Sequence, residues 1–179
     1  MKTKTKLLLF FVLLFVFDLA KAQATFQKTF GGTNDDAGYS MIQTNDGGYI
    51  IAGNTNSFGA GDMDFYLIKT DSNGNALWTK SFGGTAHDAG YDFLTYSVRQ
   101  ANDGGYIICG STWSFGAGNM DIYLIKTDSN GNLIWSKTIG GTGDDDGRAI
   151  RQTNDGGYII LGYSGNYSTN GRIELIKTN

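Results

Sequence analysis

The phrase Asn-Asp-Gly-Gly-Tyr-Ile-Ile occurs three times, at residues 45–51, 102–108 and 154–160, in steps of 57 and 52 residues. A repeat of this length, made of short apolar runs and Gly-rich turns, marks supersecondary units that bury their faces on one another. The surrounding residues extend the repeat. Each copy opens with Gly-Gly-Thr and an acidic turn and runs into a strand ending in Gln. Asn-Asp-Gly-Gly and Tyr-Ile-Ile follow, then a loop that contains Ser-Phe-Gly-Ala-Gly in two copies. The last elements are a Leu-Ile-Lys-Thr strand, an Asp-Ser-Asn-Gly-Asn turn and a strand carrying Trp-x-Lys; the third copy is cut short after Lys-Thr.

Four strands per copy follow, written here for the first: a at 39–44, b at 49–53, c at 65–70 and d at 76–82. Asp46-Gly47 between two apolar runs is a hairpin signal, and residues 71–75 give a longer turn between c and d. Strands b and c are apolar at successive positions, which requires cover on both faces. Strand d mixes Trp78, Lys80 and Phe82 on one face with Leu77, Thr79 and Ser81 on the other, as suits an outer position. Stacked four-stranded antiparallel sheets with doubly buried inner strands are the blades of a β-propeller. A β-solenoid, whose coils are shorter and lack these hairpins, stands second.

Residues 25–31 match strand d, Phe26-Gln27-Lys28-Thr29-Phe30 aligning with Trp78-Thr79-Lys80-Ser81-Phe82. The expectation is an all-β, propeller-type repeat of three four-stranded blades, at about 32–83, 84–140 and 141–179. The N-terminal strand either completes the last blade or pairs between chains. Three blades would have to turn about 120° from one to the next, far beyond the roughly 30° of aligned stacked sheets, and propellers carry about 4 to 8 blades. A homodimer forming a six-bladed ring is one solution, a longer parent protein a second and an open arc a third. The phrases at 31–38, 46–53 and 64–71 resemble the bacterial SBBP-type β-propeller repeats of secreted and surface proteins, notably of the Bacteroidetes. The resemblance covers nearly all of residues 23–179 and implies an extracytoplasmic repeat protein, usually with more repeats and often with a further domain. It supplies no general catalytic residues.

Lys2, Lys4 and Lys6, the apolar run 7–17 and Ala20-Lys21-Ala22 read as a secretory signal peptide cleaved after Ala22. Asp18 and Lys21 interrupt too early for a span of about 20 residues. The expected locale is extracellular or the outer cell surface, with the periplasm as the alternative. Without residues 1–22 the chain holds 10 basic and 16 acidic side chains, a formal charge of −6. That balance argues against nucleic acid, which needs clustered Lys and Arg. Cys109 is the sole cysteine, so no internal disulfide forms; its repeat equivalents Ala52 and Leu161 mark a buried apolar position.

Candidate chemistry gathers on the face carrying the d-to-a and b-to-c loops. Asp36, Asp88 and Asp145 recur in the Gly-Gly-Thr turns, where capping of turn amides is the preferred reading. Asp64 and Asp121 follow the b-to-c loops, with Phe58, Trp113 and Phe115 nearby. Carboxylates beside aromatic rings are the elements of sugar recognition. Tyr91 and Phe93 belong to an insert at 91–95 that only the second copy has, a plausible contact surface. No cofactor is expected. Calcium at the 71–75 and 128–132 turns would use alternate oxygen ligands, but a tight hairpin explains the same residues, and the Gly and Glu of an EF-hand are missing. His87, the sole histidine, replaces Asp35 and Asp144 and reads as a tolerated surface variant. A non-catalytic binding or structural module with a glycan or protein partner is the leading expectation. The alternatives are a glycoside hydrolase or lyase using loop carboxylates, and a fragment of a longer propeller.

Overall fold

The computed structural model describes residues 25–88, 97–165 and 171–179. They form eleven strands in three antiparallel sheets of four, four and three strands. The first sheet runs β1 (Asp36–Gln43), β2 (Tyr49–Thr55), β3 (Asp64–Thr70) and β4 (Ala76–Phe82), each strand beside its sequence neighbour. The second repeats the order with β5 (Ser97–Gln100), β6 (Tyr106–Thr112), β7 (Asp121–Thr127) and β8 (Leu133–Ile139). The third has β9 (Asp145–Gln152), β10 (Tyr158–Ser164) and β11 (Arg172–Lys177), with β11 at its edge. Strand β1 starts three residues before the expected strand a, because a bulge between Gly38 and Ser40 carries the pairing back to Asp36.

Both glycines of the Asn-Asp-Gly-Gly turn are required. Gly47, Gly104 and Gly156 have φ of 82°, 82° and 88°, the left-handed region that glycine enters without strain. A Cβ on the next glycine would collide with a backbone carbonyl, that of Thr70 at Gly48, of Thr127 at Gly105 and of Thr178 at Gly157. The close approach admits a buried lysine. Lys69 Nζ reaches the Asp46 carboxylate at 2.9 Å and the Thr70 carbonyl at 2.8 Å, and Lys126 repeats this with Asp103 and Thr127. The Thr44 hydroxyl and then Lys69 hold the Asp46 carboxyl down at about 2.

Each sheet has a front face, toward the following sheet, and a rear face. Ile50, Ala52, Phe65 and Leu67 on the front of the first sheet pack against Val98, Tyr106, Ile108, Tyr123 and Ile125 on the rear of the second. Ile107, Cys109, Ile122 and Leu124 on the front of the second pack against Ile150, Tyr158 and Ile160 on the rear of the third. The second sheet is therefore buried on both faces, and alternate side chains of β6 and β7 serve two different cores. Cys109 is buried within the second core, where burial first and the Asp146 charge second push its thiol pKa up.

The N-terminal segment departs from the first of its two expected placements. Residues 25–31 do not complete the third sheet, which has three strands, and they join no sheet of the described residues. They lie on the rear of the first sheet. Phe26 packs on Tyr49 at 6.2 Å between ring centroids, just as Trp78 packs on Tyr106 at 5.9 Å and Trp135 on Tyr158 at 6.2 Å. Phe26 also covers Gly74 as Trp78 covers Gly131. The segment thus stands toward the first sheet where β4 stands toward the second.

Candidate functional site

The Gly-Gly-Thr corners are built by their aspartates. Asp88 Oδ2 accepts from the Gly84 amide at 2.6 Å and from the Ser114 hydroxyl at 2.6 Å, while Oδ1 accepts from the Thr112 hydroxyl. Asp36 takes the same bonds from Gly32, Ser57 and Thr55, and Asp145 accepts from Gly141 at 2.7 Å. Burial opposes ionisation of Asp36, but bonds from Thr55, the Gly32 amide and Ser57 outweigh it and hold the carboxyl below its ordinary range. These three aspartates cap turns, and both oxygens of Asp36 and of Asp88 are engaged by the fold itself.

Asp64 and Asp121 close the b-to-c loops from inside. Asp64 Oδ2 accepts from the Ala60 amide at 2.5 Å; Asp121 Oδ2 accepts from Ala117 and Gly118 at 3.0 and 3.2 Å. Both side chains are buried. At each junction the carboxylate meets that of the next corner across a glycine, Asp64 facing Asp88 across Gly83 and Asp121 facing Asp145 across Gly140. Among the described residues Asp64 Oδ1 has no hydrogen-bond partner. Burial pushes the Asp64 carboxyl up to about 6 against the pull of the Ala60 amide, and the Asp88 charge adds to the rise.

The aromatic candidates divide between support and surface. Phe58 stacks on Tyr66 at 5.5 Å and lies over Gly32; Phe115 packs on Tyr123 at 5.5 Å and lies over Gly84. Each ring seals a corner with one side and leaves much of the other in solvent. Trp113 meets His87 edge-on at 5.1 Å, and the Trp113 amide donates to the His87 carbonyl at 3.0 Å. His87 Nδ1 stands 3.6 Å from Asp62 Oδ2.

The candidates therefore spread over successive junctions. Phe58 sits with Asp36 at the rear rim of the first sheet. Asp64, Trp113 and Phe115 gather where the first sheet meets the second, and Asp121 belongs where the second meets the third. Tyr91 and Phe93, with the rest of the 91–95 insert, lie outside the described residues. Asp62, which the sequence places on this face with Asp64 and Asp121, and His87, which it reads as a surface variant, join this corner. The backbone bond from Trp113 to His87 recurs as Asn56 to Asp35 and as Gly165 to Asp144, so the acceptor end changes only in the second copy, while the donor end varies in all three and carries an aromatic ring only there. The 71–75 turn is a hairpin whose Asp71 carboxylate takes the Asn73 amide, the Asn75 amide and the Asn75 side chain, and Asp128 repeats the pattern.

No known protein family matches the chain, and no curated protein does. Among solved structures it is similar to a protein of unknown function from Bacteroides caccae, with a TM-score of 0.44 and 13% sequence identity over 84% of this chain. The matched region spans 49% of that protein, about half its length.

Proposed function

We propose that the three sheets are blades of a propeller-type repeat and that the protein is an exported, non-catalytic binding or structural module whose partner is a glycan or another protein. The observation that carries this reading is the Trp113–His87 pair. It occupies the corner where His87 replaces the aspartate that the other two copies share and where a tryptophan stands in place of Asn56 and Gly165, and it lies beside the half-open ring of Phe115. Aromatic rings next to polar groups suit the apolar faces and hydroxyls of sugars, or the side chains of a protein surface. The commitment of Asp36 and Asp88 to turn amides and hydroxyls supports a non-catalytic role, since a carboxylate holding several donors is poorly placed to exchange protons with a substrate. Asp64, whose pKa is raised, is enclosed under the loop that it ties. The leader-like residues 1–22 support export.

Trp113→Ala is expected to weaken binding to whatever glycan an array reveals by about tenfold or more, in line with about 1.4 kcal/mol per decade, with the β-sheet circular dichroism unchanged. Unchanged glycan binding in Trp113→Ala and Phe115→Ala would remove the aromatic corner from the account. Hydrolysis of a glycan that is lost in Asp64→Asn would favour the carboxylate enzyme instead.

A further inference from the structure

The protein contains the same sheet-to-sheet junction twice and the two halves of a third. On the front of the third sheet, Leu161, Ile173 and Leu175 are 43%, 87% and 70% exposed. The residues in the same register in the other sheets, Ala52, Phe65 and Leu67, and Cys109, Ile122 and Leu124, are all buried. On the rear of the first sheet, Met41 is 61% exposed where Val98 and Ile150 are buried. A groove of about 420 Å³ opens there, lined by Phe26, Phe30, Met41, Tyr49 and Ile51 among others. Among the described residues no strand pairs with the edge of β11 at the position that β4 and β8 take in the other sheets. Residues 25–31 hold the place of such a strand on the first sheet without joining a sheet.

We propose that these halves join between two copies of the chain, head to tail, so that residues 25–31 of each copy pair with β11 of the other and two chains close one ring of six blades. The occupant is specified by the junctions already present. Carrying over the β3–β4 and β7–β8 register sets Ile173 opposite Phe30, Glu174 opposite Thr29 and Leu175 opposite Lys28. Polar groups match as well. The Asn45 amide donates to Gln100 Oε1 and the Asn102 amide to Gln152 Oε1, both at 2.9 Å. Gln43 of the first sheet and the Asn154 amide of the third are the next members of that series.

Charge singles out this pairing. At the internal junctions Asp64 faces Asp88 and Asp121 faces Asp145. The third sheet has Arg172 at the Asp64 position, and Asp36 borders Gly31 as Asp88 borders Gly83. Docking a second copy sets Arg172 against Asp36, an opposite-charge pair where the internal junctions oppose two carboxylates. Each interface is heterologous, and two of them close a ring when the rotation fits.

The inference rests on the blade reading above, and sedimentation equilibrium of the protein tests it. The expected mass is twice that of one chain. Leu175→Arg and Ile173→Arg, at positions exposed in the single chain, are expected to give half that mass with unchanged β-sheet circular dichroism. A chain that stays single, a ladder of species beyond two, or a dimer that survives Leu175→Arg overturns the pairing. Glycan binding by a chain that stays single would leave the blade and binding reading standing while removing this one.

Discussion

The second and third sheets are close in sequence and opposite in circumstance. Both carry Tyr-Ile-Ile on one inner strand and Leu-Ile-Lys-Thr on the next, in the same antiparallel register. Yet Ile122 and Leu124 are buried, whereas Ile173 and Leu175 face solvent. Lys126 is 5% exposed at its side chain and Lys177, making the same bridge to the aspartate of its turn, is 41% exposed. The strands are not different; their neighbours are. An apolar pattern on both faces of a strand states a demand for cover, and the fold meets it only where a following sheet exists.

Leucines in the same register break or sharpen that contrast with the largest effect. Leu124→Ala should cost about 2–5 kcal/mol in urea unfolding, as for a large-to-small change in a packed core. Leu175→Ala, read on dilute protein, should fall within about 0.5 kcal/mol, as surface changes do. A Leu175→Ala as costly as Leu124→Ala in the single chain would mean that its face is covered from within.

A smaller effect separates the internal junctions from the outer one by pH. The Asp64 carboxyl titrates near 6 when folded and near 3.8 as an ordinary carboxyl. The folded state therefore binds more protons between those values, and its stability falls as pH rises from about 4 through about 6. Asp64→Asn removes that dependence, so its melting temperature should gain on the wild type across this window and hold the gain above it. Parallel curves for the two proteins would show that burying the Asp64 carboxyl carries no such cost.

Much of the architecture was readable in the chain. The Asp-Gly turns and the two-sided apolar runs gave the order of strands, and the observed β4 has the bounds expected of strand d. Phe26-x-Lys28-x-Phe30 marked residues 25–31 as strand-like and showed which side chains share a face. It could not name the partner, because register along an edge depends on which sheet lies opposite. The acidic loop residues were legible as a set but not by depth. Spacing does not reveal that the b-to-c loop folds back over Asp64, nor that Asp88 meets it across Gly83. His87 looks like a lone variant in the sequence because its contact, Trp113, is 26 residues away; their juxtaposition emerges only when the backbone bond between them is known.

The central claim is that residues 25–31 serve β11 of a second chain, and a cross-link tests it most directly. Opposed residues of antiparallel strands have Cα atoms about 4.5–5.5 Å apart, within disulfide reach. With Thr29→Cys and Glu174→Cys in the same chain, mild oxidation should give a covalent dimer on a non-reducing gel that dithiothreitol returns to single chains. Cys109, buried in the second core, leaves that readout clean. A disulfide formed within one chain, or no cross-link at all, would contradict the account.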